Sequence, residues 1–333
     1  MNNRIRICVA FFVLFTVSLI NAQQQEAERI PQVEIAGSQL LHINSDIVDQ
    51  EYDVYVNLPR NYSDTTKKFP VLFLLDAQWD FPLVQSLYGE QYYDGFVPDI
   101  VIVGITWGGK NPDYYSLRSR DFSPTAEQPT KTSGGASKFL EFIKKELIPI
   151  VESTYRVSDN RALVGSSLGG LFTLYAMFNE TELFNRYILT SPALQWENGI
   201  LGSIEESFSK KNSKIDARLF MAVGGYEYVP MLQNFYELLK TRNYENLEIG
   251  YKVIDGIGHS GSKADGYTRG LIFAYEHPEI NLEDSVLEQY VGTYEIAPGM
   301  NIKTSVENNR LVAITNDNYK ISFSIRNIGV LLH

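Results

Sequence analysis

Residues 161–172 read RALVGSSLGGLF, and the local reading of this stretch decides the fold. Arg161-Ala162-Leu163-Val164 is a short apolar run of the kind buried in mid-sheet, and GGLFTLYAMF continues with helical spacing. Between them Gly165-Ser166-Ser167-Leu168-Gly169 fits G-x-S-x-G with Ser167 at its centre. Strand, tight turn and helix in that order lift the central side chain above the sheet edge at a helix N-terminus. Glycines on either side let the neighbouring backbone pass without a Cβ clash, and free N–H groups of the helix face developing negative charge. Ser167 is therefore the candidate nucleophile, whereas Ser166 is expected to point elsewhere and to pack or bond locally. The competing reading is a structural serine in a helix cap.

Outward from this stretch, strand-like and helix-like segments alternate. KFPVLFLLD (68–76) and DIVIVGITW (99–107) are continuous apolar runs, as expected of strands covered on both faces. SKFLEFIKKELIPIVESTY (137–155) has helical spacing. After the serine stretch come RYILTSP as strand, IEESFSKK as helix, ARLFMAVGG as strand, MLQNFYELLKTRN as helix, LEIGYKVIDG as strand and SKADGYTRGLIFAYE as helix. VEIAGSQLLHI and EYDVYVNLP form an antiparallel opening pair. The alternation predicts an α/β fold, a mostly parallel sheet with helices on both faces.

A serine hydroxyl is a poor nucleophile until a base takes its proton. The chain has four histidines. His42 lies in the opening strands, His277 precedes a proline at a helix end, and His333 is the last residue. His259 stands in GIGHSGS, a glycine-rich loop after the last strand of the sheet, at the edge where open α/β sheets keep their sites. The acid belongs after the intervening strand, where Glu227 is placed to hold the imidazole in one tautomer; Asp255 is the second choice. An oxyanion needs two backbone donors. One is Leu168 N–H, and the other is an N–H near Ala77 or Gln78 in the loop LLDAQWDF, with Asp76 as a brace. No metal-ligand cluster, phosphate loop or cofactor motif competes with this reading, so neither cofactor nor metal is expected.

The 333 residues are 44% hydrophobic with a net charge of −11, a balance that argues against nucleic acid and anionic membranes as partners. Residues 1–22, MNNRIRICVAFFVLFTVSLINA, have the layout of a secretory signal peptide. Their apolar run of about 14 residues falls short of the roughly 20 that a membrane span needs. The expectation is an exported protein, periplasmic or secreted, without a membrane span after cleavage. Cleavage removes Arg4, Arg6 and Cys8, the only cysteine, leaving a charge of −13 and no disulfide. From residue 284 short alternating runs broken by Pro-Gly and Asn-Asn replace the longer segments. The domain reading is therefore signal peptide 1–22, main α/β domain 23–280 and a small β module 284–333.

Several segments resemble the esterase family that includes esterase D and the enterobactin-type siderophore esterases, within the α/β-hydrolase fold. FLLDAQWDF resembles its strand-Leu-Asp-Gly loop, with Ala77 where Gly is usual. RSRDFSPT (118–125) resembles its Arg-x-Arg-Asp-Phe-Thr-Pro-Thr segment, VGSSLGG its elbow, SPALQW its Ser-Pro stretch and GIGHSG its histidine loop. The match runs from about residue 38 to 277. The resemblance implies ester hydrolysis through an acyl-enzyme with Ser167, His259 and Glu227 as the triad. It also puts Arg118 and Arg120 near the site, against the alternative of an ion pair with Asp121. Trp79, Trp107 and Trp196 are candidates to line an aromatic pocket or, equally, to pack in the core. The tail resembles a small lipocalin-like module appended to some exported hydrolases.

The leading expectation is an exported serine esterase acting on a small-molecule or glycan-linked ester. Candidate substrates are siderophore lactones and feruloyl or acetyl esters of polysaccharides. The alternatives are an acyltransferase using the same triad, a peptidase, or a non-catalytic binding protein on a hydrolase scaffold.

Overall fold

The computed structural model describes residues 34–125, 132–276 and 282–322. The signal-peptide reading of residues 1–22 falls outside them. Eight strands form one sheet in the order β1-β2-β4-β3-β5-β6-β7-β8. These are β1 (Ser38–Ser45), β2 (Gln50–Asn57), β3 (Phe69–Leu74), β4 (Val101–Trp107), β5 (Val157–Ser166), β6 (Arg186–Thr190), β7 (Lys214–Gly224) and β8 (Glu245–Ile254). β2 runs antiparallel to β4, and every pairing from β4 through β3 to β8 is parallel. The central strands are apolar throughout because helices cover them: all seven residues of β4 are buried.

The helices are α1 (Ala77–Tyr93), α2 (Tyr114–Phe122), α3 (Ala136–Phe142), α4 (Ile148–Thr154), α5 (Leu168–Asn179), α6 (Ile200–Ser209), α7 (Val229–Arg242) and α8 (Ser262–Tyr275). A π-helical turn (Ile143–Leu147) joins α3 to α4, so the single helix predicted there is interrupted just before Pro149, which has no N–H to donate. α8 packs closely on β6 and β7. A Cβ on Gly270 would lie 2.2 Å from Ile188 Cγ2, so only glycine permits that approach.

Two helices differ from the expectation. LLDAQWDF is not a loop beyond Asp76: α1 begins at Ala77, and α2 forms over part of the Arg-rich segment. Pro82 disguises α1, since it removes an interior helix bond. Burial of Ala77, Phe81, Val84 and Tyr88 compensates, as does the packing of Ala77 and Phe81 on β4 at Gly104.

After α9 (Asp284–Leu287) a second, antiparallel sheet follows, in the order β12-β11-β10-β9. Its strands are β9 (Gly292–Ala297), β10 (Met300–Glu307), β11 (Arg310–Thr315) and β12 (Lys320–Ser322). Asn308 and Asn309 between β10 and β11 have φ of 50° and 60°. Two positive φ values at a two-residue connection make the primed turn that matches strand twist, and asparagine tolerates both.

Candidate active site

The site lies at the C-terminal edge of the parallel strands. β5 ends at Ser166 and α5 starts at Leu168, so Ser167 is the whole turn, with φ 58° and ψ −118°. This is a strained backbone for a residue with a Cβ. Its N–H donates to Thr190 O at 3.0 Å, and its carbonyl accepts from Ala193 N at 3.0 Å, which ties the turn to the end of β6. Gly165 is obligatory, because a Cβ there would lie 2.5 Å from the Gly169 backbone. The Ser167 side chain makes no capping bond. Ser166 is buried instead, and its carbonyl accepts from Arg118 at 3.0 Å.

His259 and Glu227 meet across the loops after β8 and β7, with Nδ1 2.6 Å from Oε2. An ionised carboxylate only accepts, so Nδ1 carries the proton of this bond and, in the neutral ring, the lone pair falls to Nε2. The other carboxylate oxygen, Oε1, accepts from Ser191 Oγ at 2.5 Å and from Gly224 N at 2.9 Å. Burial is the largest influence on Glu227 and opposes ionisation. The bonds from Ser191, His259 and Gly224 outweigh it and hold the carboxyl below the usual glutamate range. Asp255 lies exposed beyond β8.

Ser167, Glu227 and His259 line one open cavity of about 190 Å³, together with Ser191, Pro192, Ala193, Gln195, Val223, Tyr228, Met231 and Leu232. Leu168 is the first residue of α5 and Gln78 the second of α1. N–H groups in the first turn of a helix have no intrahelical acceptor, so neither N–H is engaged within its own helix. Gln78 therefore lies at a helix N-terminus and not in a loop.

The arginines are placed by carboxylates. Arg118 Nε lies 2.8 Å from Asp76 Oδ1 and 2.9 Å from Oδ2, so it braces the elbow and the start of α1 at once. Arg120 Nε sits 2.6 Å from Asp121 Oδ1. Asp121 is fully buried and also accepts from Tyr52 Oη at 2.6 Å and Trp107 Nε1 at 2.7 Å. Arg120 and Trp107 are engaged by that buried cluster, as the alternative readings of an ion pair with Asp121 and of core packing have it, and neither is among the residues that line the cavity. Trp196 is half-buried and donates to Thr125 O at 3.3 Å. Trp79 alone of the tryptophans is exposed, at 42%, beside the more open Tyr115 at 77%, with ring centroids 5.5 Å apart.

Ser191 and Ser262, bonded to Glu227 Oε1 and to the His259 carbonyl respectively, are neighbours that the sequence does not single out. The only signal for Ser191 was its place in SPALQW, directly after a parallel strand.

A parallel-sheet edge carrying a serine elbow, with a carboxylate-bound histidine on the last two loops, defines an esterase of the α/β-hydrolase fold. The family model described as "Putative esterase" matches residues 45–223, and the chain belongs to that family. The ferri-bacillibactin esterase BesA of Bacillus subtilis is 27% identical over 268 residues, 74% of this chain and 91% of that protein. The siderophore triacetylfusarinine C esterase of Aspergillus fumigatus is 29% identical over 180 residues, 51% of this chain and 61% of that protein. Among solved structures, the BES protein from Bacillus cereus has a TM-score of 0.66 at 24% identity, covering 74% of this chain and 97% of that one. Siderophore hydrolase EstB from Aspergillus nidulans has a TM-score of 0.65 at 23% identity, covering 74% and 96%. Both share the fold. Among the described residues no helix is long and apolar enough to cross a membrane.

Proposed function

We propose that this chain is an exported siderophore esterase that works through Ser167, His259 and Glu227. The observation that carries the reading is the Glu227-bound His259 ring in the same cavity as Ser167. His259 Nε2 takes the proton as Ser167 Oγ attacks the ester carbonyl carbon. The N–H groups of Leu168 and Gln78 hold the resulting oxyanion. Collapse breaks the bond to the leaving alkoxide, which takes its proton from His259. Water, activated by the same imidazole, then cleaves the acyl-enzyme and frees Ser167.

Hydrolysis is favoured over acyl transfer because the His259 side chain is 51% exposed, which leaves water access to the base. Siderophore esters are favoured over polysaccharide esters by the named activities of the two relatives. Exposed Trp79 beside Gln78 and exposed Tyr226 and Tyr228 flanking Glu227 would suit a planar aromatic substrate. Export rests on residues 1–22. We assign the catalytic domain to residues 23–280 and a separate β module to 284–333.

The test compares a catecholate trilactone, methyl ferulate and p-nitrophenyl acetate with wild type and Ser167→Ala. Wild type is expected to cleave the trilactone best and Ser167→Ala to cleave none. Equal rates in both proteins would refute the serine mechanism, and a preference for methyl ferulate would refute the siderophore assignment.

A further inference from the structure

Glu227 is held from behind by one hydroxyl, that of Ser191, which a second, that of Ser262, backs in turn. Ser191 directly follows β6, with a φ of 46° in the left-handed region that a serine rarely occupies. That turn aims its hydroxyl at Glu227 Oε1, 2.5 Å away. Its oxygen also lies 2.7 Å from Ser262 Oγ, and Ser262 Oγ lies 2.7 Å from the His259 carbonyl. Both serines are buried, Ser262 completely and Ser191 in the lining of the cavity.

Each hydroxyl has one proton to give. With the Ser191 proton committed to the carboxylate, that of Ser262 is shared between Ser191 Oγ and the His259 carbonyl. The chain Ser262 to Ser191 to Glu227 therefore returns to the loop that carries His259. It closes a ring around the acid and base, tying the loops after β6, β7 and β8 together.

We propose that Ser191 is a positioning residue for ester hydrolysis: its hydroxyl keeps the Glu227 carboxylate charged and aimed at His259, and Ser262 anchors that hydroxyl to the histidine loop. The inference rests on the triad reading above. Removing the donor makes the carboxylate more basic. A proton then either stays on Glu227 to higher pH or is retained more firmly on His259 as imidazolium. The two groups titrate as a pair, and both routes move the acid limb of activity upward.

The experiment measures kcat, KM and the pH profile of kcat/KM on p-nitrophenyl acetate for Ser191→Ala, Ser191→Gly and Ser262→Ala in the full chain. Glycine accepts the positive φ, so Ser191→Gly removes the hydroxyl without backbone strain. Both Ser191 variants are expected to lose about 10- to 100-fold in kcat near neutral pH, the size of one hydrogen bond to a charged group, with KM little changed. Their acid limb should rise by about one pH unit, and Ser262→Ala should shift it less in the same direction. An unmoved acid limb in Ser191→Gly would overturn the proposal, whether or not kcat falls. Ser167→Ala, run alongside, separates the two ideas: retained activity there would refute the triad itself.

Discussion

Replacing Arg118 by Met is expected to cost stability in a pH-dependent way. Asp76 is almost completely buried, and burial is the largest influence on it, raising its pKa to about 6. Arg118 opposes that rise, Asp80 adds to it, and Lys263 lowers it. A carboxyl raised from 3.8 to about 6 makes the ionised folded state costlier by roughly 3 kcal/mol. The sign is that of a raised acid: the stabilising contribution is complete below pH 3.8 and disappears as pH rises through about 6. Without the guanidinium the folded-state pKa climbs further. Below pH 5 Asp76 is neutral when folded in both proteins, and the variant should lose only the contacts of a guanidinium with an uncharged carboxyl. At pH 8 wild type holds a paired carboxylate, whereas the variant must bury an unpaired charge or take up a proton. The loss should then approach about 3–5 kcal/mol. Urea titrations followed by tryptophan fluorescence at pH 5 and pH 8 read the difference. Adding Asp76→Asn should recover most of it, because asparagine suits the φ of 55° at this position. The same loss at both pH values, or a double variant as weak as the single one, would refute the reasoning.

Glu227→Gln should keep the fold but leave His259 with the wrong tautomer, lowering kcat on the order of 10⁴-fold in a p-nitrophenyl ester assay. Gly165→Ala forces a Cβ to 2.5 Å from the Gly169 backbone. It should cost about 1–3 kcal/mol in urea unfolding, and the activity should fall with it. Lys263→Met strands the buried Asp80 carboxylate, whose other partner is Tyr267 Oη at 2.9 Å. A loss of about 3–5 kcal/mol is expected there, and Lys263→Arg should retain most of the stability.

The elbow, the strand alternation and the positions of His259 and Glu227 were legible because each depends on local pattern and chain order. Val164 and Leu163 must be apolar in a covered strand, and Gly165 must lack a Cβ, whatever surrounds them. α1 was not legible, because Pro82 speaks against a helix and only packing of Phe81 on β4 overrules it. Trp79 and Trp107 look alike in sequence. One is exposed beside Tyr115 and the other is 2% exposed, bonded to Asp121, a difference made by the tertiary contacts of α2. Nor does the sequence pair Arg118 with Asp76, which lies 42 positions earlier.

Those pairings change what the basic residues around the site mean. Arg118 serves Asp76, Arg120 serves Asp121 and Lys263 serves Asp80, and each of the three carboxylates is buried. A buried carboxylate deprived of its cation is costly, so these positive charges are held by the fold. Among the described residues no lysine or arginine lines the cavity, whose titratable groups are Glu227, His259 and the Tyr228 phenol. Attraction of an anionic substrate by free arginines, which RSRDF suggests at first sight, therefore has no support in the cavity itself. What the protein leaves open is aromatic surface: Trp79, directly after Gln78 in the chain, lies beside Tyr115, and Tyr226 and Tyr228 flank Glu227. Selection by flat apolar contact, with charge confined to the scaffold beneath, is the division of labour that this arrangement favours.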